Sequence, residues 1–196
     1  SLSKGIESIS EDDLIILSDC DEIPNLETLD KEAVKNNILL FKQKIFYYKF
    51  NLQHSNMNWF GSKACKKKIF KNFNWLRNVK NKKYPFWRMD TYFSNTKYSN
   101  LRIVDNGGWH FSKVKNEKDI FYTLSNYGEH NEFELSGLTE ADIKNLISNQ
   151  QLYFNHSGDK KSDNKYSAKI KLNKIPIDNM PKYLRDNYLK YKEWIA

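Results

Sequence analysis

The sequence predicts an α/β protein folded as a single domain over residues 1–196, and three observations lead there. Short apolar and aromatic runs of strand length recur between Leu14 and Phe111. Capped, helix-periodic segments dominate the chain after Asn116. No internal repeat and no linker rich in Pro, Gly or Ser divides the 196 residues. With 39% hydrophobic and 15% aromatic residues, the chain can bury a core and is neither disordered nor fibrous in composition. No run of 18 apolar residues exists, which excludes a membrane-spanning helix, and no secretory leader is expected. Two cysteines, Cys20 and Cys65, are too few for a disulfide scaffold.

Taken in order, Leu14-Ile15-Ile16-Leu17 reads as a strand buried on both faces, and Pro24 stops any regular element beyond the acidic turn after it. Asp30 is a plausible N-cap for a short helix through Lys31–Asn37. Ile38–Phe41 and Ile45–Phe50 are β-branched and aromatic, as strands are. Residues 53–100 carry weaker signals, with turns expected near Asn81 and Pro85. Leu101–Val104 is the next strand, and Asn106-Gly107-Gly108 a turn that delivers Trp109-His110-Phe111. Asn116 caps a helix carrying Ile120, Phe121 and Leu124. Thr139 caps another with an acid at its third position, and Leu138 and Ile143 stand where a hydrophobic staple would. Ala168–Leu172 alternates like a half-buried strand. Pro181 opens a final helix with Leu184, Tyr188, Tyr191 and Ile195 at helical spacing.

The net charge of +8 conceals a segregation: residues 1–32 sum to −8, residues 33–89 to +14 and residues 90–196 to +2. An AT-rich coding sequence accounts for 28 Lys and 23 Asn, but not for 57 consecutive residues without an acid. Such a stretch invites an anionic partner.

Three motifs carry potential chemistry. Asp19-x-Asp21-Glu22 comes directly after an apolar run; strand ends are where α/β folds present ligand groups, and carboxylates at i and i+2 suit a hard divalent cation. The bland alternative is a solvated acidic turn. Gly107-Gly108-Trp109-His110-Phe111-Ser112 offers a close backbone approach at Gly108, a flat indole at Trp109 and an imidazole at His110, or else a core aromatic cluster after a turn. Glu129-His130-Asn131-Glu132-Phe133 sets two carboxylates around a histidine, a place for proton transfer or a solvated helix face. Cys20 reads as a small buried filler between two acids, and Cys65 has no assigned role.

Ser18-Asp19-Cys20-Asp21-Glu22-Ile23-Pro24, Gly107-Gly108-Trp109-His110-Phe111-Ser112, Glu129-His130-Asn131-Glu132-Phe133 and Met180-Pro181-Lys182-Tyr183-Leu184 together resemble glycosyltransferase family 17. The resemblance implies a GT-A-type, Rossmann-like fold and inverting transfer of a sugar, GlcNAc foremost, from a UDP-sugar to a glycan. It implies Mn²⁺ or Mg²⁺ held by Asp19 and Asp21, with Glu22 orienting them and His110 adding a metal or diphosphate contact. Trp109, His130 and Gly108 would meet substrate. An inverting transfer needs a carboxylate base, which the resemblance gives to Glu132 with Glu129 second.

Family members carry a longer stretch before the D-x-D strand than the thirteen residues that precede Leu14 here. The expectation is an N-terminally incomplete GT-A domain that pairs with another copy or with a separate N-terminal fragment. The family setting with no membrane anchor points to the cytoplasm of a bacterium or a virus-infected cell rather than to the Golgi lumen. Two alternatives stand beside this reading: a non-catalytic remnant, and a binding module whose basic residues 63–83 contact nucleic acid or another polyanion. The second is disfavoured because only Arg77 and Arg88 are arginines in the acid-free stretch and no nucleic-acid-binding motif matches.

Overall fold

The computed structural model describes residues 2–30, 34, 35, 37–128, 130–155, 166 and 170–196. The chain divides into two compact units, one of Ser1–Lys44 and Asn58–His110, the other of Ile45–Met57 and Phe111–Ala196. The structure is mixed α/β. In chain order the first strands are β1 (Leu14–Leu17), β2 (Glu22–Pro24), β3 (Ile38–Phe41), β4 (Gln43–Tyr47), β5 (Leu52–Trp59) and β6 (Lys63–Lys66). Helix α1 (Phe73–Asn78), β7 (Leu101–Val104) and β8 (Gly108–Ser112) come next. Then come α2 (Glu117–Asn126), α3 (His130–Leu135), α4 (Glu140–Ser148), β9 (Gln151–Leu152), β10 (Ile170–Lys171), β11 (Asn173–Lys174) and α5 (Lys182–Asp186). No helix among the described residues is long and apolar enough to cross a membrane.

The first unit is built on a four-stranded sheet of order β1-β6-β3-β7. It is mixed: β6 runs antiparallel to β1 and β3, while β3 and β7 are parallel. All four residues of β3 are buried, and strand alternation sends them to two cores. Ile38 and Leu40 pack with Cys65, Trp75, Leu76, Val79 and Leu101 on one side; Leu39 and Phe41 pack with Ala64 and Val104 on the other. Burial on both faces, expected for Leu14–Leu17, belongs to β3 instead. Strand β1 lies at the sheet edge, where only Ile15 of its four residues is buried. Helix α1 is started by Asn72, whose side chain accepts the N–H of Trp75 at 2.7 Å.

The β1–β6 pairing accounts for part of the charge segregation. Leu14 lies opposite Lys66, so the acids just before β1 meet the bases at the end of β6 and just after it. Lys66 pairs with Asp12 at 2.9 Å, Lys67 with Glu11 at 3.7 Å and Lys68 with Asp12 at 3.5 Å. The hydrogen bond and charge of Lys66, with Lys68 behind it, hold the Asp12 carboxyl below its ordinary range. These exposed pairs set register more than they add stability.

In the second unit α2 packs against α3 and α4 through Ile120, Leu124, Phe133 and Ile143. Both expected caps form: Asn116 accepts from Asp119 N–H, and Thr139 with Asp142 makes a reciprocal capping box. The alternating strand expected at Ala168–Leu172 reduces to β10 among the described residues, with Leu172 buried. The final helix is shorter than its periodicity predicts. It stops at Asn187, whose main-chain and side-chain N–H groups both turn onto the Tyr183 carbonyl at 3.2 and 2.9 Å, and a 3₁₀ segment Tyr188–Trp194 continues. The helix expected at Lys31–Asn37 falls mostly outside the described residues. Cys20 is exposed rather than buried, because it sits in a turn that β1 and β2 do not cover. Cys65 is buried, and burial pushes its thiol up to about 12.

Candidate metal centre

Strand β1 ends at Leu17, and a turn closed by the Glu22 N–H on the Asp19 carbonyl carries the chain into β2. Strand β2 pairs antiparallel with β8 in a register that sets Glu22 opposite His110, Ile23 opposite Trp109 and Pro24 opposite Gly108. Directly opposite residues share a face, so the acidic turn and the histidine meet. One ligand atom from each of Asp21, Glu22 and His110 lies within 4.8 Å of the others. His110 Nδ1 stands 3.8 Å from Asp21 Oδ1 and 3.9 Å from Glu22 Oε1.

Glu22 is buried, which a carboxylate tolerates only when its lone pairs are answered. Trp59 Nε1–H donates to Oε1 at 2.6 Å, and both the Ser62 hydroxyl (3.1 Å) and the Asp19 N–H (3.2 Å) donate to Oε2. Gln43 Nε2 donates to the Ser62 oxygen at 3.0 Å, and the Ser18 hydroxyl lies 2.6 Å from it. The Trp59 indole also stacks on the His110 imidazole at 4.7 Å and 18°, so one side chain orients two members of the cluster. Gly61 is the residue that lets Glu22 in: a Cβ there would lie 1.6 Å from Glu22 Oε1 and 2.4 Å from Trp59 Nε1.

His110 Nδ1 is buried with no hydrogen-bond partner, one of two such side-chain atoms among the described residues. An orphaned nitrogen facing two carboxylates is costly unless something shares it. Burial lowers the imidazole's affinity for a proton, against the opposing pull of Asp21, Glu22 and Asp19. A neutral imidazole with two carboxylates is a donor set for a divalent cation of the Mn²⁺ or Mg²⁺ kind, and the residues fit that group.

Of the residues singled out in the sequence, Asp21 and His110 are in the cluster. Glu22, expected to orient the others, stands in the cluster itself. Asp19 lies outside it and is ion-paired with Arg77. Gly108 takes φ +126° under the Ile23 carbonyl. Trp109 projects from the opposite face of β8 to His110. Glu132 and His130 lie on α3 in the second unit, Glu132 exposed and His130 Nδ1 2.9 Å from the Tyr127 carbonyl oxygen. Glu129 is outside the described residues. Residues that no motif marked are Trp59, Gly61, Ser62, Lys63 and Arg77. The run Trp59-Phe60-Gly61-Ser62-Lys63 held one usable signal, a glycine between aromatic and small polar residues.

A cleft of about 200 Å³ adjoins Glu22, with Ser18, Asp19, Trp59, Lys63 and Arg77 in its wall. Lys63 is buried, and its Nζ donates to the carbonyls of Arg77 (2.7 Å) and Val79 (2.5 Å), closing the C-terminal end of α1. Burial first, then Arg77, pull its ammonium down to about 8, while Glu22 opposes them. The native ammonium loses its proton near pH 8, whereas the unfolded chain holds it to 10.5. At Lys63, unfolding therefore takes up a proton in that window, and this group's contribution to stability rises with pH across it. Between pH ~8 and ~10 Lys63 by itself contributes a gain of about 2 kcal/mol; the Cys65 thiol, raised from 9.0 to about 12, and the buried Tyr47 and Tyr48, raised from 10.0, oppose it because they ionise first in the unfolded chain. Urea unfolding of the wild type and of Lys63→Met at several pH values isolates it: the stability difference between the two should move by about 2 kcal/mol in favour of the wild type between pH ~8 and ~10.

Comparison of the chain with protein-family models, with curated proteins and with solved structures gives no match.

Proposed function

We propose that this chain is a divalent-metal-dependent, inverting glycosyltransferase of GT-A type, akin to glycosyltransferase family 17. It would move a sugar, GlcNAc foremost, from a UDP-sugar to a glycan hydroxyl. The observation that supports this reading is the partnerless, buried His110 Nδ1 facing Asp21 and Glu22. Two of the four motifs that carry the family resemblance, far apart in the chain, contribute to one cluster that could hold a metal ion.

Asp21, Glu22 and His110 would hold the cation, with Trp59 and Ser62 keeping Glu22 oriented. A bound Mn²⁺ or Mg²⁺ supplies positive charge beside the diphosphate of the leaving nucleotide. Lys63 and Arg77 add fixed positive charge to the wall of the adjoining cleft, where a diphosphate would be drawn. Asp19 keeps the Arg77 guanidinium at that wall. By the family resemblance alone, Glu132, with Glu129 second, would be the carboxylate that takes the acceptor's proton.

Titration calorimetry of the full chain with Mn²⁺, then with UDP and UDP-GlcNAc, tests the reading. Nucleotide binding that requires Mn²⁺ is expected. Asp21→Ala and His110→Ala should each weaken Mn²⁺ binding by about a hundredfold. Glu132→Gln should leave nucleotide binding intact and slow transfer to a glycan acceptor by at least about a hundredfold. Nucleotide binding indifferent to Mn²⁺, or none at all, overturns the proposal.

A further inference from the structure

Apart from Asn81, which lines the cleft beside Glu22, the segment from Lys80 to Lys97 in the first unit takes no part in the metal cluster or that cleft. Five large side chains on it stand in solvent: Phe86, Trp87, Met89, Tyr92 and Phe93 are 69%, 70%, 74%, 73% and 86% exposed. Scattered exposed apolar residues need no explanation, but five within eight positions do.

The segment is ordered by its own contacts. Tyr92 Oη donates to the Phe86 carbonyl at 3.0 Å, and a 3₁₀ turn spans Met89–Thr91. The Arg88 N–H donates to the Pro85 carbonyl at 3.2 Å. The base is tied down by Lys80 N–H on the Thr96 carbonyl (2.8 Å) and Tyr84 N–H on the Tyr98 carbonyl (3.2 Å). The rings of Phe86 and Trp87 meet edge to face at 5.2 Å. The apolar side chains are thus presented by a constrained loop.

Its charge is one-sided. Lys80, Lys82, Lys83 and Arg88 are exposed, and Lys82, Arg88 and Lys97 gather over the Tyr84 ring at 6.0, 5.3 and 5.8 Å. Asp90, the one acid of the segment, is paired with Arg88 at 2.8 Å and Lys97 at 2.7 Å. An exposed apolar loop whose cations outnumber its single acid suits a partner that is apolar inside and anionic at its surface.

We propose that residues 80–93 dock this protein reversibly on an anionic lipid membrane. Phe86, Trp87, Met89 and Phe93 enter the boundary between headgroups and acyl chains, and Lys80, Lys82, Lys83 and Arg88 lie against the headgroups. Two other partners fit less well. A second copy related by a twofold axis would set the same lysines against one another. A nucleic acid would gain from flat rings, but Met89 offers none, Phe86 and Trp87 are edge to face, and the Tyr92 hydroxyl is already spent. The inference does not depend on the proposed catalytic function, and its test needs neither metal nor nucleotide.

Co-sedimentation of the full chain with vesicles tests it, using phosphatidylcholine containing about a third phosphatidylserine against phosphatidylcholine alone. The expected result is at least about tenfold stronger binding to the anionic vesicles, weakened by high salt. Lys82→Gln with Lys83→Gln should cost about 25-fold, near fivefold per charge. Trp87→Ser with Phe93→Ser should cost at least about tenfold while leaving the thermal melt unchanged, since both side chains are exposed. Four results overturn the proposal: no binding to anionic vesicles; binding that neither double variant weakens; a dimer that Trp87→Ser with Phe93→Ser dissociates; or tighter, equally variant-sensitive binding to a single-stranded oligonucleotide.

Discussion

Gly61→Ala is expected to lower Mn²⁺ affinity by about a hundredfold while the fold survives. The new methyl would occupy the position of Glu22 Oε1, 1.6 Å away, and press on Trp59 Nε1 at 2.4 Å. The carboxylate is the end of a flexible side chain, so it is the atom that moves. In moving, it leaves the Trp59 and Ser62 hydrogen bonds and its station opposite His110. The proposed donor set then loses its best-ordered oxygen, and a buried charge loses its partners, which costs about 1–3 kcal/mol of stability. Calorimetry with Mn²⁺ reads the first effect and urea unfolding the second. Gly128→Ala is the control: nothing lies within 4 Å of its Cβ position, so neither quantity should change.

Gly108→Ala is expected to act on the fold itself, lowering stability by about 3–5 kcal/mol. Two causes add. The backbone there has φ +126°, a conformation strained for any residue with a Cβ, and the methyl would lie 2.0 Å from the Ile23 carbonyl oxygen and 2.8 Å from the Asn25 N–H nitrogen. Both neighbours are backbone of β2 and its continuation, so relief requires the β2–β8 pair to separate. That pair sets Glu22 against His110. The variant should therefore lose Mn²⁺ binding together with stability, whereas Gly61→Ala loses mainly the former. Chemical denaturation and Mn²⁺ titration of both variants measure the contrast.

Elements whose signal is local were legible in the chain. Asn116 and Thr139 cap their helices because a side-chain oxygen two or three residues from an unpaired N–H finds it without help. Ile38–Phe41 and Leu101–Val104 are strands over those residues because apolar β-branched runs bounded by polar residues have few alternatives. Strand β6 reads Lys-Ala-Cys-Lys, which no strand pattern marks. It forms because the Ala64 and Cys65 side chains fill the two cores while Lys63 reaches the carbonyls at the end of α1. Leu14–Leu17 was recognisable as a strand, but its place at the sheet edge depends on which neighbours exist, a fact outside its own residues.

The same division holds for the candidate site and returns to the α/β reading of the chain. Residue types alone marked Asp21 and His110, and the acidic turn after an apolar run placed Asp21 at a strand end. They could not show that Glu22, expected beside the metal acids as an orienting residue, is buried between Trp59 and Ser62. Nor could they separate Asp19, ion-paired with Arg77, from the cluster of Asp21, Glu22 and His110. Local propensity and composition are enough to specify an α/β chain with two strong motifs. The meeting of those motifs rests on one antiparallel register, Glu22 opposite His110, and on the missing side chain of Gly61. Register is decided by the sum of contacts along two distant strands, and a slip of one residue would turn Glu22 to the other face.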